Sequence, residues 1–80
     1  MNEPTTQHPG TIRYLDSDRN LVNELPIDEV PESLRFAYDE DDNMIPVVEV
    51  VAHESGDGRE IFEYGPKGQL LRVTAQRRGP

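Results

Sequence analysis

The sequence predicts a mainly β fold, a small antiparallel β-meander of four to five strands, with either a short helix or a return strand between residues 17 and 34. Two observations carry that expectation. Short apolar runs alternate with polar turns, and the 6 Gly and 7 Pro fall between the runs rather than in one tract, as in folds of short elements joined by tight turns. The run Pro46-Val47-Val48-Glu49-Val50-Val51-Ala52 has β-branched residues at successive positions, so both faces are apolar and it is the expected central strand.

Length and composition bound the fold. Eighty residues make one domain, and a chain this short buries only about 60% of the surface its unfolded form exposes. A hydrophobic content of 34% gives a thin core, and no Cys is present to reinforce it through disulfides or thiolate-bound zinc. Residues 1–10 are polar, carry Pro4, Pro9 and Gly10, and are expected to form a flexible arm. The folded unit is expected over 11–75, with 76–80 as a flexible tail.

Along that unit one local pattern recurs three times: an apolar run ends near a Tyr, a polar turn follows, and a second run starts after Asn or Gln. The copies are Tyr14 to Leu21, Tyr38 to Ile45 and Tyr64 to Leu71, spaced by 24 and 26 residues, and each is expected to be a hairpin. Both internal duplication and an ordinary meander produce such spacing. In the third copy Pro66 presets φ for the second position of a type I turn and Gly68 supplies the positive φ of the following bulge. Glu54-Ser55-Gly56-Asp57-Gly58 is a further turn, joining the run that ends at His53 to the run Arg59 to Tyr64.

Between the first two copies Leu21, Val22 and Leu25 suit one helical face after a Ser17 or Asp18 cap, yet Pro26 and Pro31 stop any helix early. Glu29 to Leu34 reads as one helical turn leading into a strand. Alternation places Leu34, Phe36 and Tyr38 on one strand face, and Leu71, Val73 and Ala75 on another. These six, with Val48, Val50 and Phe62, form the expected core.

The stretch Phe62, Tyr64, Gly68, Leu70 and Val73 resembles the YD repeat of Rhs-type proteins, in which an aromatic, a Tyr, a turn and Gly-Gln/Arg-Leu recur. It covers about thirteen residues, and Gly65 stands where that repeat carries its Asp. The resemblance implies a shared hairpin grammar.

The charge distribution is polarised. Residues 1–66 hold all sixteen acids against four arginines, a net of −12, whereas residues 67–80 hold Lys67, Arg72, Arg77 and Arg78, a net of +4. Such a field repels nucleic acid over most of the surface and favours basic partners. His8 and His53 are the only histidines, and no nucleophile elbow, phosphate loop or metalloprotease helix is present. Asp16-Ser17-Asp18-Arg19-Asn20 and Asp39-Glu40-Asp41-Asp42-Asn43 open like calcium loops. Leu21 and Met44 stand where the sharp bend needs Gly, and Ile27 and Val50 stand where a bidentate Glu is required.

The expected function is therefore a small acidic protein-binding or regulatory module of inhibitor or adaptor type, not an enzyme, with no cofactor and no metal, acting through a sheet edge or an acidic face. Its expected partner is another protein with a basic surface, a second copy of the chain being a further candidate. The residues expected to meet a partner are Asp39, Glu40, Asp41, Asp42, Glu49 and Arg72. The alternatives are a nucleic-acid mimic that fills a basic groove and a calcium sensor built on the two acidic turns. Without a basic, apolar leader or an apolar span of membrane length, a cytoplasmic location is the default expectation.

Overall fold

The structure, a computed structural model, describes residues 8–77. Thr11–Leu15 (β1) and Leu21–Pro26 (β2) form a hairpin, Phe36–Tyr38 (β3) and Met44–Pro46 (β4) form a second, and Glu49–Ser55 (β5), Gly58–Tyr64 (β6) and Leu70–Arg77 (β7) form a three-stranded meander. The main sheet has five strands in the order β2-β1-β5-β6-β7, and β3–β4 stands as a separate two-stranded sheet. The fold is thus mainly β, and β5 is central as the continuous apolar run predicts. It is not the purely antiparallel meander expected from sequence, because β1 and β5 pair in parallel, Arg13, Tyr14 and Leu15 lying opposite Glu49, Val50 and Val51.

The parallel pair arises from how the chain leaves and re-enters the sheet. Pro26 ends β2, Ile27 donates its N–H to the Gly10 carbonyl at 2.9 Å, and the chain departs through two short 3-10 turns, Ile27–Glu29 and Glu32–Leu34, each entered from a proline. These turns replace the short helix expected between residues 17 and 34, and β2 is the return strand. After the β3–β4 hairpin, Val47 donates to the Arg35 carbonyl at 2.9 Å, and β5 docks on the side of β1 that faces away from β2, where Arg13 donates to the Val48 carbonyl at 3.1 Å.

The core lies where this crossover covers the sheet. Ile12, Val30 and Val47 are fully buried and cluster with Ala37 and Val50, while Leu15 and Val51 are buried on the opposite face of the sheet. Of the residues expected inside, only Val50 is buried. Phe36, Val48, Phe62 and Leu71 are half-buried, and Leu34, Tyr38, Val73 and Ala75 are exposed. Two physical reasons account for the difference. Leu34 belongs to a 3-10 turn, so it is out of phase with β3, whose inward residue is Ala37 rather than its aromatic neighbours. Val73 ends the row Leu15, Val51, Phe62 on the border strand, on the sheet face opposite the crossover, and Ala75, level with Glu60 and His53, lies past the end of β1.

The three sequence copies are hairpins with the same turn. In each, the opening residue exchanges backbone hydrogen bonds with positions three and four further on: Asp16 with Arg19 and Asn20, Asp39 with Asp42 and Asn43, Gly65 with Gly68 and Gln69, all between 2.9 and 3.1 Å. The fourth position has positive φ, 66° at Arg19 and Asp42 and 77° at Gly68. In the first two turns the opening Asp clasps the loop: its Oδ1 accepts from the N–H groups two and four residues on, and its Oδ2 accepts from the Asn amide. In the third, Gln69 Oε1 accepts the Lys67 N–H at 2.8 Å, and the Gln69 amide lies 2.8 Å from where a Cβ on Gly65 would stand. One polar side chain thus clasps each turn, supplied from opposite ends. Leu15, rather than Tyr14, is the structural equivalent of Tyr38 and Tyr64.

The first and third hairpins also share a bulge, Val22 and Leu71 each lacking a cross-strand partner. At the far end of the meander Gly58 is irreplaceable for a different reason, since a Cβ there would lie 2.0 Å from the Gln76 carbonyl oxygen.

Ile12→Ala is expected to lower the unfolding free energy by about 2–5 kcal/mol, and Val73→Ala by less than about 1 kcal/mol, both read from urea denaturation midpoints. Asp42→Gly relieves a left-handed strain of about 1–2 kcal/mol, partly offset by added freedom of the unfolded chain, and is expected to stabilise by about 0.5–1 kcal/mol in the same measurement.

Candidate functional site

The six residues expected to meet a partner separate into three places. Asp39, Glu40, Asp41 and Asp42 form the exposed tip of β3–β4, and this tip lies beside the start of β7: Tyr38, Asp39, Glu40 and Asp41 share a cavity of about 390 Å³ with Gln69, Leu70 and Leu71. Glu49 lies on one face of the main sheet and is held from two sides, by Arg13 at 3.7 Å and Arg19 at 3.3 Å. The Arg19 guanidinium also sits 5.3 Å from the centre of the Tyr64 ring.

Arg72 lies on the opposite face. It stands directly across from Glu63, the single charged residue that is buried among those described, and both its Nε, at 3.0 Å, and its Nη2 donate to Glu63 Oε1. The bulge at Leu71 brings Arg72 into that register. Removing one member of a buried pair typically costs about 3–5 kcal/mol, because the other is left uncompensated, so Arg72 belongs to the architecture before it belongs to any partner.

That same face carries a groove of about 580 Å³. Val50, Ala52 and Ile61 line it from the central strands, Tyr14 and Asn23 from the β1–β2 hairpin, Leu34 from the crossover, and Thr74 and Gln76 from β7. Its charged lining is three carboxylates, Asp16, Glu54 and Glu63, against the single guanidinium of Arg59, which pairs with Glu54 at 3.2 Å. Burial, and secondarily the negative charge of Glu63, push the Tyr14 hydroxyl above its ordinary pKa, so the phenol stays protonated as a donor on the groove wall. The groove can take apolar side chains against its lining and cationic or donor groups against its carboxylates.

Sequence reasoning missed this groove and its residues. A usable signal was present: Glu63 and Arg72 are lone opposite charges inside the apolar runs Ile61 to Tyr64 and Leu70 to Val73, and such residues in adjacent hairpin strands pair across the ladder.

The two acidic turns that open like calcium loops use their first carboxylates internally. Asp16 and Asp39 are each held below the usual carboxylate range, chiefly by the backbone N–H of Asn20 and Asn43, and the Asn amide donates its N–H rather than presenting an oxygen. Among the described residues no group of three or more His, Asp or Glu is arranged to hold a metal ion. His53 is exposed and faces Glu60 across the ladder. The His8 Nδ1 accepts the Gly10 N–H at 3.2 Å, which leaves Nε2 as the ring donor to the Val47 carbonyl. No helix among the described residues is long and apolar enough to cross a membrane. Comparison of the chain with protein families, curated proteins and solved structures returned no match.

The shifted groups fix the sign of the pH dependence. The depressed pKa values of Asp16 and Asp39 contribute stability that is complete above about pH 4 and is lost as pH falls through their folded values. The raised Tyr14 pKa contributes stability that is present below about pH 10 and declines as pH rises further. Denaturant midpoints measured across pH should therefore fall at both extremes, and Asp16→Ala with Asp39→Ala should flatten the acid limb while leaving the alkaline limb unchanged.

Proposed function

We propose that the chain is a non-catalytic protein-binding module that takes an extended basic segment of another protein into the groove between the β1–β2 hairpin and the far end of the meander. The observation that carries this reading is the groove itself: an apolar concavity left uncovered beside a crossover, with three carboxylates against one guanidinium in its lining. The complementary ligand is a segment that alternates apolar and basic side chains, the apolar ones entering the groove and the basic ones meeting Asp16, Glu54 and the surrounding acidic surface. The net of −12 over residues 1–66 steers such a segment toward the domain and makes its association salt-sensitive.

This reading assigns an adaptor or inhibitor role and narrows the acidic-face expectation to one concavity. Arg72 acts within it as a positioning residue through Glu63 of the groove lining, whereas Glu49 is engaged by Arg13 and Arg19 on the opposite face. The partner's identity enters only as chemistry, a basic amphipathic strand.

The test is chemical-shift mapping with two synthetic peptides, one alternating Leu and Lys and the other Leu and Glu. Perturbations at Tyr14, Ala52 and Ile61 are expected with the Lys peptide alone, weakened by added salt and abolished by Ala52→Arg, which fills the groove with positive charge. Perturbations confined to the acidic turns, or equal responses to both peptides, overturn the reading.

A further inference from the structure

The two borders of the main sheet are finished differently. Backbone groups alternate in direction along a strand, and two bonds fix the phase at the β7 border: Val48 donates to the Tyr64 carbonyl and Gly65 to the Gln69 carbonyl, both at 2.9 Å. Tyr64, Phe62, Glu60 and Gly58 therefore point their backbone groups toward β5, while Glu63, Ile61 and Arg59 point toward β7. Their partners Arg72, Thr74 and Gln76 face β6, so the N–H and C=O groups of Val73, Ala75 and Arg77 face outward. On β2 the bond from Ile27 to Gly10 sets the phase, and beyond the bulge the outward residues are Glu24 and Pro26. Pro26 has no N–H, the Glu24 N–H is taken by Asn23 Oδ1 at 2.9 Å, and Val22 is bulged.

The β2 border is thus closed to strand addition by the devices that protect natural edges, whereas the β7 border from Val73 to Arg77 carries no Pro, Lys, Asp or Glu and no bulge. Val73 is 48% exposed.

We infer that β7 pairs antiparallel with β7 of a second copy about a two-fold axis through Ala75, giving one continuous sheet across a homodimer. In this register Ala75 faces its own counterpart and Val73 faces Arg77 of the other copy, so the outward backbone groups on the two strands meet in phase, and between Val73 and Arg77 no like charges are opposed directly. Charge complementarity selects the second copy as the occupant. Running antiparallel, Arg77 of one copy heads along the other copy's β7 toward Leu71 and Leu70, beside which lies the acidic tip Asp39 to Asp42. Arg77 of each chain approaches the most acidic turn of the other, twice by symmetry. The axis is normal to the sheet, so both grooves open on one side. That last consequence rests on the proposed function, whereas the dimer does not.

The experiment is light scattering coupled to gel filtration, on the full chain at low salt and up to about 100 µM, where micromolar self-affinity is well populated. Twice the chain mass is expected. Ala75→Pro removes an outward N–H without touching the β6 ladder and is expected to give a folded monomer, with unchanged circular dichroism. Val22→Lys on the other border should remain dimeric. Arg77→Glu, at an exposed site, should weaken the dimer by about tenfold or more, and Asp41→Arg introduced with it should restore much of the loss. A monomer at all concentrations, or a dimer indifferent to both Ala75→Pro and Arg77→Glu, overturns the inference. If Ala75→Pro does not fold, the charge-reversal pair decides. Peptide binding by a monomeric variant would leave the groove reading standing without the dimer, and a dimer that binds neither peptide would do the reverse.

Discussion

The structure depends on one seam, the parallel contact between β1 and β5. On either side of it the chain is local: a two-stranded hairpin and a three-stranded meander, each formed by neighbours in sequence. Isolated hairpins are marginal in water. The seam joins the two units into a five-stranded sheet, and it becomes a core only because Val30 and Val47, from the crossover that creates the parallel return, cover Ile12 and Val50. Sheet, crossover and core therefore form together or not at all. Loop-closure entropy must be offset by few apolar residues, which makes the fully buried trio Ile12, Val30 and Val47 disproportionately important.

The same seam explains where surface is left over. A crossover made of two 3-10 turns and a two-stranded hairpin covers only part of one sheet face, and the meander continues past the end of β1. The uncovered remainder is the groove, and the overhanging strand is β7. Both candidate binding features are thus consequences of a small core stretched across a sheet longer than it can cover. At β2, by contrast, the chain supplies a bulge, a proline and an Asn clasp. Negative charge on the remaining turns keeps molecules with such exposed sheet from associating at random.

Local structure was legible in the sequence, and long-range pairing was not. Turn chemistry identified all three hairpins, because Asp, Asn, Gly and Pro act within four or five residues of themselves. The run Pro46 to Ala52 identified the central strand, because two apolar faces need two neighbours. Alternation could not say which neighbours: a period of two orders the residues within a strand and is silent on what lies beside it. The parallel return was therefore invisible, and so was a core assembled from β1, the crossover and β5. Leu34, Phe36 and Tyr38 illustrate the failure, since their spacing was read as one strand although the 3-10 turn at Glu32–Leu34 breaks the phase. The site residues followed the same division. The acidic tip Asp39 to Asp42 was found as an exposed turn, whereas Glu49 and Arg72 proved to be engaged by Arg13, Arg19 and Glu63, partners brought near by pairing and turn geometry.

These engagements also change what the net charge means. Arg13, Arg19, Arg59 and Arg72 are each committed to a carboxylate, and Arg35 donates to the Val30 carbonyl at 2.7 Å. The cations of the folded body are therefore fixed in place, and the field a distant partner meets is set by carboxylates on turns and crossover, chiefly Asp28, Glu29, Glu32 and the tip from Glu40 to Asp42. Of the remaining basic groups, Lys67 lies in the turn that leads into β7 and Arg77 lies at its end. A chain in which most cations are tied down, with the rest flanking its open strand, is built to distinguish two kinds of approach: a basic segment attracted by the body, and a surface able to accept the basic end of β7. In the proposed dimer the second is the acidic tip of another copy.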